Sequence, residues 1–353
     1  MDKKEGHQLK MFTIPALDSQ AGAEAKMHLD ILTKPVGSLG KLEEIVITLA
    51  EIQGRKQPSI KRLGIVVFAA DHGIVEEGIS AFPQLVTRQM VHNMSAGGAA
   101  INVFGRQQQA EFALVDVGVI GESFSSPVKD CKIRQGTKNF LRAEAMTQDE
   151  VEKAIDIGYR EALNLFEKGV DCLVVGEVGI GNTTSSSAVV AAITEIDPAE
   201  LVGYGTGISS EQHVHKIKVV QDALMLHNPN PTDGYDVLRK VGGLELAAMT
   251  GAMLAAASRR VPVILDGFIS TAAACVAETL GEGASGYMLL GHQSMEPGHQ
   301  RAFQYLEKEP ILSLSMRLGE GTGAAVAYSI IQSAVRMVNE MATFESAGVS
   351  GKN

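Results

Sequence analysis

Glycines, hydroxyl residues and one carboxylate are concentrated in residues 176–184. An apolar run over 171–175 leads into them and predicts a buried strand that ends at the first glycine. Gly179 and Gly181 allow a tight turn and bring backbone N–H groups close to a ligand. A helix that begins here exposes N–H groups that bind anions. The residues able to cap that helix are Asn182, Thr183 and Thr184. We therefore interpret the stretch as a phosphate-binding turn.

The spacing from Gly176 to Thr183 is close to that of the nucleoside-triphosphate loop G-x-x-x-x-G-K-[ST]. Asn182 stands where that loop has its lysine, which reaches the β- and γ-phosphates. Its absence favours a ligand with one phosphate. The alternative is a glycine-rich connection that binds nothing. Glu177 argues against that alternative, because a carboxylate beside an anion site is unfavourable unless it takes part in the chemistry.

Glu320 is flanked by glycines in the stretch 318–323. The glycines let a ligand approach closely, and we predict that the carboxylate lies at a turn from a strand into a helix. A glutamate among apolar neighbours has a raised pKa, which suits proton abstraction near neutral pH. Glu320 is thus the candidate general base. The alternative is a solvated glutamate that serves the first turn of the following helix.

Two further groups of polar residues are weaker candidates. Asp71-His72 and His213-Val214-His215 offer metal ligands, but no H-x-x-x-H or C-x-x-C spacing accompanies them, so we expect no metal site. Asp71 and His72 are expected to shape the end of a strand by hydrogen bonding. Lys216 is a possible cation for a phosphate or carboxylate, with a solvated helix lysine as the default.

An aromatic ring, a thioether and amides alternate over residues 78–90, on a predicted loop and helix start. This mixture suits a flat heteroaromatic ligand. Phe82 and Met90 can pack on its faces, and Ser80 or Gln89 can contact its edge nitrogens. An ordinary core helix explains Met90 equally well.

The composition is that of a globular protein with a large core. The chain has 353 residues, 45% hydrophobic and 20% charged, with a net charge of -10. This charge argues against a nucleic-acid or anionic-membrane partner, so an anionic ligand must be held by backbone dipoles and a few cations. The three cysteines lack metal-like spacing and are interpreted as free thiols. Without a signal peptide or a membrane span, a cytoplasmic protein is expected.

Apolar runs that end in polar or glycine residues recur along the chain. They predict strands at 63–70, 113–118, 172–177, 261–266, 287–291 and 312–318. Helical periodicity covers 28–32, 39–52, 148–168, 185–192, 244–258 and 324–341, and the polar residues 1–25 are expected at the periphery. This alternation predicts an α/β fold with a parallel sheet, whose ligands bind beyond the carboxyl ends of the strands. The carboxylates expected there are Asp71, Asp116, Glu177, Asp266 and Glu320.

Seven segments in this order resemble the nicotinate-nucleotide–dimethylbenzimidazole phosphoribosyltransferase family, which makes the lower-ligand nucleotide of cobalamin. They are residues 34–43, 70–73, 78–83, 97–102, 176–184, 266–268 and 318–323. Each segment alone is weak evidence, but seven in order across nearly the whole chain are specific. The resemblance implies a homodimer with no metal or organic cofactor. It also implies a Rossmann-like large domain, placed at 61–323, and a small helical lobe from 1–60 and 324–353.

The family's reaction moves the 5-phosphoribosyl group of nicotinate mononucleotide to 5,6-dimethylbenzimidazole, giving α-ribazole 5'-phosphate and nicotinate. The resemblance makes Glu320 the proton acceptor and places Glu177 beside the ribose. With the residues above, the expected phosphate and ribose ligands are Gly179, Ile180, Gly181, Asn182, Thr183, Gly205, Lys216 and Asp266. The expected benzimidazole contacts are Ser80, Phe82, Gln89, Met90 and Leu318.

This chemistry agrees with the residues. The nucleotide has one phosphate, and its pyridinium leaves without a strong general acid. Inversion at the anomeric carbon by a single displacement needs no covalent nucleophile, and the sequence offers none. Three alternatives remain at this point: a nucleotide kinase or NTPase, a related transferase with another aromatic acceptor, and a nucleotide-binding sensor without catalysis.

Overall fold

In the computed structural model, which describes residues 12–205 and 207–350, six parallel strands form one sheet. The strands are β1 (Leu63–Ala70), β2 (Glu111–Gly118), β3 (Lys129–Asp130), β4 (Cys172–Val178), β5 (Val263–Leu265) and β6 (Met288–Leu290). Their order is β3-β2-β1-β4-β5-β6, the order of Rossmann-like sheets. The predicted α/β fold class is confirmed. The order reverses between β1 and β4, and such a reversal opens a crevice for ligands.

Helices cover both faces of the sheet. Those of the first third of the chain are α1 (Ser19–Asp30), α2 (Lys41–Gln53), α3 (Leu85–Ser95) and α4 (Ala100–Gln107). The middle third holds α5 (Gln148–Glu167), α6 (Asn182–Thr194), α7 (Pro198–Leu201), α8 (Ser210–His227) and α9 (Gly234–Val241). The rest are α10 (Leu244–Ser258), α11 (Phe268–Leu280), α12 (Pro297–Tyr305), α13 (Thr322–Glu340) and α14 (Phe344–Ala347). None of these described helices combines the length and apolar character that a bilayer crossing requires.

The continuous apolar sequence of β1 serves two cores at once. All eight of its residues are buried. Val66 and Phe68 belong to the core that includes α5, α6, α10 and α11, whereas Ile65 and Val67 face α2, α4 and α13. A strand covered on both faces has no polar side, which is why the sequence reads as an unbroken apolar run. The division into a small lobe and a large domain stays a prediction, since α2 and α13 share their core with the sheet.

Two predictions near the chain ends are wrong. Residues 312–318 form no strand: only Leu312 pairs with the sheet region, through His292, and Ser315 has a φ of +55°. Their apolar side chains alternate, but Leu314 and Leu318 point to solvent. The second error concerns residues 1–25, of which those from 12 onward are described: Phe12 packs on the core and helix α1 follows. Residues 1–11 lie outside the described chain.

Helices α5 and α10 cross with their backbones in contact. A Cβ atom on Gly158 of α5 would lie 1.7 Å from the carbonyl oxygen of Ala248, and one on Gly251 of α10 would lie 1.9 Å from that of Ile155. The backbone of each helix therefore packs directly against a glycine of the other helix. This contact fixes α10 against the sheet, and α10 begins beside the site described below.

We predict that Gly158→Ala lowers the free energy of unfolding by about 3 kcal/mol, the cost of overpacking a core. The substitution adds helix propensity, worth about 1 kcal/mol, so crowding has to exceed that gain. Urea denaturation measures the difference. Gly105→Ala is the matched control, because its Cβ would meet only the rotatable Cδ1 of Ile65, at 3.2 Å. Equal effects of the two substitutions would contradict the helix-contact explanation.

Candidate functional site

A cavity of about 460 Å³ opens beyond the carboxyl ends of β4, β5 and β6. Small-molecule sites have this size and lie at this edge of parallel sheets. The predicted residues that line it are Phe82, Met90, Glu177, Gly179, Ile180, Asn182, Thr183, Gly205, Asp266, Leu318 and Glu320. The loops after these strands, the turn before α13, and the loop after β1 with helix α3 thus bring together side chains that are far apart in the sequence.

Four predicted residues are placed outside this lining. Gly181 shapes the turn, and Lys216 reaches the lining through a hydrogen bond described below. Ser80 is half-buried and its Oγ accepts the N–H of Phe82 at 3.2 Å, while Gln89 is exposed on α3. The contact of Ser80 and Gln89 with a heteroaromatic ligand stays a prediction.

The 179–183 turn connects β4 to α6 through glycines packed on the backbone. A Cβ atom on Gly179 would lie 2.3 Å from the carbonyl oxygen of Ala70. Gly181 is the N-cap of α6, with φ +97°, and no side chain caps the helix, so the predicted capping by Asn182, Thr183 or Thr184 is wrong. The N–H of Ile180 donates to Thr87 Oγ1 at 3.0 Å and is therefore already engaged. The N-terminus of α6 nevertheless faces the cavity, as an anion site requires.

Lys216 is a buried cation, and the solvated alternative is wrong. Its side chain is 1% exposed, and Nζ donates to Thr183 Oγ1 at 3.0 Å and to the carbonyl oxygen of Gly203 at 3.3 Å. Burial lowers its pKa to about 8, against the opposing effect of Glu296. Both hydrogen-bond acceptors are neutral, and Glu296 is a nearby carboxylate without a hydrogen bond to Nζ, so a bound phosphate would add a further negative charge beside this ammonium group.

Glu177 is buried at the end of β4. Its Oε1 accepts the N–H of Glu320 at 3.4 Å, and its Oε2 accepts a hydrogen bond from the amide of Asn182. Burial, followed by the carboxylates of Glu245 and Asp266, raises its pKa to about 8. A nearby positive charge would favour ionisation of this carboxyl group.

Glu320 lies in a strained turn against β4. Its φ is +64°, between Gly319 at +88° and Gly321 at +91°, in a region that side chains other than glycine rarely adopt. A Cβ atom on Gly176 would lie 2.2 Å from the carbonyl oxygen of Glu320, so only glycine fits beneath this turn. The solvated alternative for Glu320 is wrong, because the residue is 5% exposed.

The surroundings of Glu320 raise the pKa of its carboxyl group, which suits a residue that accepts a proton. Oε2 accepts the N–H of Ile101 at 3.4 Å. Burial raises the pKa of Glu320, the N–H of Ile101 opposes this, and Asp266 raises it further. The raised pKa predicted from the sequence agrees with this environment.

Asp266 fixes the start of α13. Its Oδ1 accepts the N–H groups of Gly323 at 2.6 Å and Ala324 at 3.1 Å, and its Oδ2 accepts that of Gly321 at 3.1 Å. The carboxylate therefore faces the positive end of the helix. Because Gly321 follows Glu320 directly, Asp266 also fixes the turn that carries the candidate base.

Sequence reasoning missed several residues of the lining. His292, Ser294, Glu296 and Arg317 all reach the cavity. The first three follow β6, and the strand-end rule used for the other loops could have found them. Burial raises the pKa of Glu296, and Lys216 most strongly opposes this.

The other two expected strand-end carboxylates, Asp71 and Asp116, accept backbone N–H groups and do not line the cavity. Asp71 Oδ2 accepts the N–H of Ile120 at 2.8 Å, and Asp116 Oδ1 accepts that of Val119 at 2.8 Å. Across the described ranges, no three His, Cys, Asp or Glu side chains are grouped so that they could hold a metal ion.

The fold and the cavity fit an enzyme that acts on a small phosphorylated substrate, and a family model described as phosphoribosyltransferase matches residues 14–349. The chain is therefore a phosphoribosyltransferase, a pentosyl-transferring enzyme. Two named relatives refine this class. A nicotinate-nucleotide–dimethylbenzimidazole phosphoribosyltransferase of Chloroflexus aggregans is 50% identical over 340 residues, 96% of this chain and 96% of that protein. One of Halalkalibacterium halodurans is 44% identical over 339 residues, 96% of this chain and 95% of that protein.

A solved structure agrees with these relatives. The crystal structure of CobT from Thermus thermophilus superposes with a TM-score of 0.91 at 41% identity and covers 94% of this chain and 100% of that one. The chain belongs to the nicotinate-nucleotide–dimethylbenzimidazole phosphoribosyltransferase family, and the resemblance seen in the sequence is confirmed.

We predict that Lys216→Met weakens binding of ribose 5-phosphate on the order of 10- to 100-fold, because a charge-assisted hydrogen bond to the phosphate is lost. The ammonium group is charged below its pKa of about 8. Affinity of the unmodified chain should therefore fall as pH rises through that value, and Lys216→Met should reduce this fall. Isothermal titration calorimetry measures both effects. Lys153→Met, which removes an exposed lysine paired with Asp149, is the control and should bind normally.

Proposed function

We propose that the chain transfers the 5-phosphoribosyl group of nicotinate mononucleotide to 5,6-dimethylbenzimidazole, giving α-ribazole 5'-phosphate and nicotinate. The observation that carries this proposal is the buried carboxyl group of Glu320. It shares one cavity with the 179–183 turn, so a base and a phosphate site lie within reach of a single nucleotide. The expected homodimer and cytoplasmic location stay predictions.

The phosphate is proposed to bind at the start of α6. Thr183 is in the cavity lining and is hydrogen-bonded to Lys216, so a phosphate there meets a helix N-terminus, a hydroxyl and a buried cation. Arg317 supplies a second cation in the lining. A single phosphate agrees with the absence of a lysine at Asn182.

The ribose is proposed to lie between Glu177 and Glu320. As nicotinate leaves, positive charge develops on the anomeric carbon and ring oxygen, and a preorganised carboxylate stabilises it. Glu177 is suited to this role because its pKa of about 8 drops when a positive charge approaches. The neutral form predominates without substrate, and the ionised form is favoured as the charge develops.

The acceptor is proposed to bind beside Glu320, among the apolar groups of Phe82, Met90 and Leu318. One ring nitrogen of the benzimidazole attacks the anomeric carbon from the face opposite the departing nicotinate. The other nitrogen loses its proton to the Glu320 carboxylate. Nicotinate leaves with the electron pair of the glycosidic bond and becomes neutral at its ring nitrogen. One displacement inverts the anomeric carbon, so the β-nucleotide gives an α-product.

We predict that Glu320→Gln lowers turnover on the order of 10²-fold or more, the usual effect of removing a positioned base. Chromatography of released nicotinate and of α-ribazole 5'-phosphate measures the rate. Glu340→Gln is the control, since Glu340 lies exposed at the other end of α13, paired with Arg336. Near-native turnover of Glu320→Gln would remove Glu320 from the mechanism.

Release of nicotinate with and without 5,6-dimethylbenzimidazole tests the reaction itself. Acceptor-dependent release with formation of the α-anomer is the expected result. Tight binding of the nucleotide without release in the presence of any benzimidazole would overturn the transferase proposal for these substrates.

A further inference from the structure

His72 and Glu245 form a buried pair behind the 179–183 turn, and the proposed mechanism leaves it without a role. Both side chains are 0% exposed, and His72 Nε2 lies 2.6 Å from Glu245 Oε1. Two long polar side chains withdrawn completely from water carry a desolvation cost. We therefore expect this pair to have a role beyond packing.

The side chain of His72 lies directly against the glycines of the turn. A Cβ atom on Gly181 would lie 3.1 Å from His72 Cβ, and one on Gly179 would lie 3.6 Å from His72 Cδ2. On its other side the ring touches Gly243, whose Cβ would lie 2.5 Å from His72 Cε1. The ring is therefore enclosed between the phosphate-binding turn and the N-cap of α10.

Glu245 lies in the first turn of α10, where the free N–H groups of the helix favour a negative charge. The chain just before α10 is also tied to α6, because the hydroxyl of Ser185 donates to the carbonyl oxygen of Val241, the last residue of α9, at 2.7 Å. The carboxylate is thus fixed in place by its helix and by His72.

A continuous set of contacts runs from this pair to Glu177, which the proposed mechanism places beside the ribose. His72 touches Gly181, the next residue is Asn182, and the Asn182 amide is hydrogen-bonded to Glu177. We propose that His72 and Glu245 are positioning residues, which support the 179–183 turn from behind and fix the negative electrostatic field at Glu177. This inference rests on the proposed function, because it assigns the pair to the same reaction.

The charges around Glu177 show which effect Glu245 has. Four elements present polar groups to it: α10 with Glu245, the loop after β5 with Asp266, the turn before α13 with Glu320, and α6 with Asn182. After burial, Glu245 is the largest cause of the raised pKa of Glu177. On its far side Glu245 faces His72 and Asp71. Removing the charge of Glu245 should therefore lower the pKa of Glu177 without touching substrate.

The first test is Glu245→Gln, which keeps the size of the side chain and an oxygen that accepts from His72. Because Glu177 and the proposed base Glu320 both act in their ionised forms, kcat rises with pH as these groups lose their protons, and Glu245 is a cause of the raised pKa of Glu177 and not of Glu320. The acidic limb of kcat against pH should move down by about one pH unit in the variant, the usual effect of one neighbouring charge. Glu161→Gln is the matched control, since Glu161 is a buried carboxylate of α5, paired with Lys129. It should leave the limb in place.

The second test is His72→Asn, which keeps Glu245 and removes the ring from beneath the turn. The KM for nicotinate mononucleotide should rise on the order of tenfold, with a smaller loss in kcat, because the turn is no longer held in its binding geometry. Thermal unfolding establishes that each variant is folded. If one variant does not fold, the other still tests the proposal.

An unchanged acidic limb in folded Glu245→Gln, or an equal shift in Glu161→Gln, would contradict the proposal that Glu245 sets the electrostatic field at Glu177. If folded His72→Asn shows a lower kcat and an unaltered KM, the proposal that His72 supports the 179–183 turn is contradicted. If the unmodified chain binds nicotinate mononucleotide but releases no nicotinate, the proposed function fails. The pH dependence of nucleotide affinity, measured by calorimetry for the unmodified chain and for Glu245→Gln, then tests the inference separately. A difference between the two supports it, and identical pH dependence contradicts it.

Discussion

The carboxylate of Asp266 makes the hydrogen bonds on which the site depends. It follows a strand of only three residues and accepts three backbone N–H groups at the start of α13. This contact joins the sheet to the helix at the point where the chain carries Glu320. The same contact satisfies helix N–H groups that would otherwise be buried without acceptors. One side chain therefore connects the rigid strands to the most strained residue of the cavity.

Charge is the second constraint on the cavity. A protein with a net charge of -10 collects Glu177, Asp266, Glu296 and Glu320 around one ligand site. Burial raises the pKa of each of the three glutamates, and neighbouring carboxylates raise the pKa of Glu177 and Glu320 further. A nucleotide with a cationic ring and an anionic phosphate complements both parts of such a site. In the proposed complex, the cationic ring lies near the carboxylates and the phosphate lies near Lys216.

Helices and strands that depend on the local pattern of residues were predicted correctly from the sequence. The bounds of β1 and α10 were correct, because a doubly buried strand and a fully buried helix leave unbroken apolar runs. The segment 312–318 shows the limit: its alternation is that of a strand, but whether a strand forms depends on neighbours that the pattern does not reveal. Lys216 shows the same limit, since a buried lysine and a solvated one are identical in sequence. Most of the lining was found where a glycine or carboxylate ended a strand. His292, Ser294 and Glu296 follow such a strand end but were not assigned, and Arg317 carries no such signal.

The left-handed backbone at Glu320 sets stability against the proposed catalytic role at a single position. Glycine adopts this conformation without strain, so the residue that would suit the fold best there is one with no carboxyl group. Selection for a more stable protein alone would favour losing the proposed base, and only selection for turnover would retain it. Laboratory evolution for thermal stability, without a screen for product, is therefore expected to select stable, inactive variants in which glycine replaces Glu320.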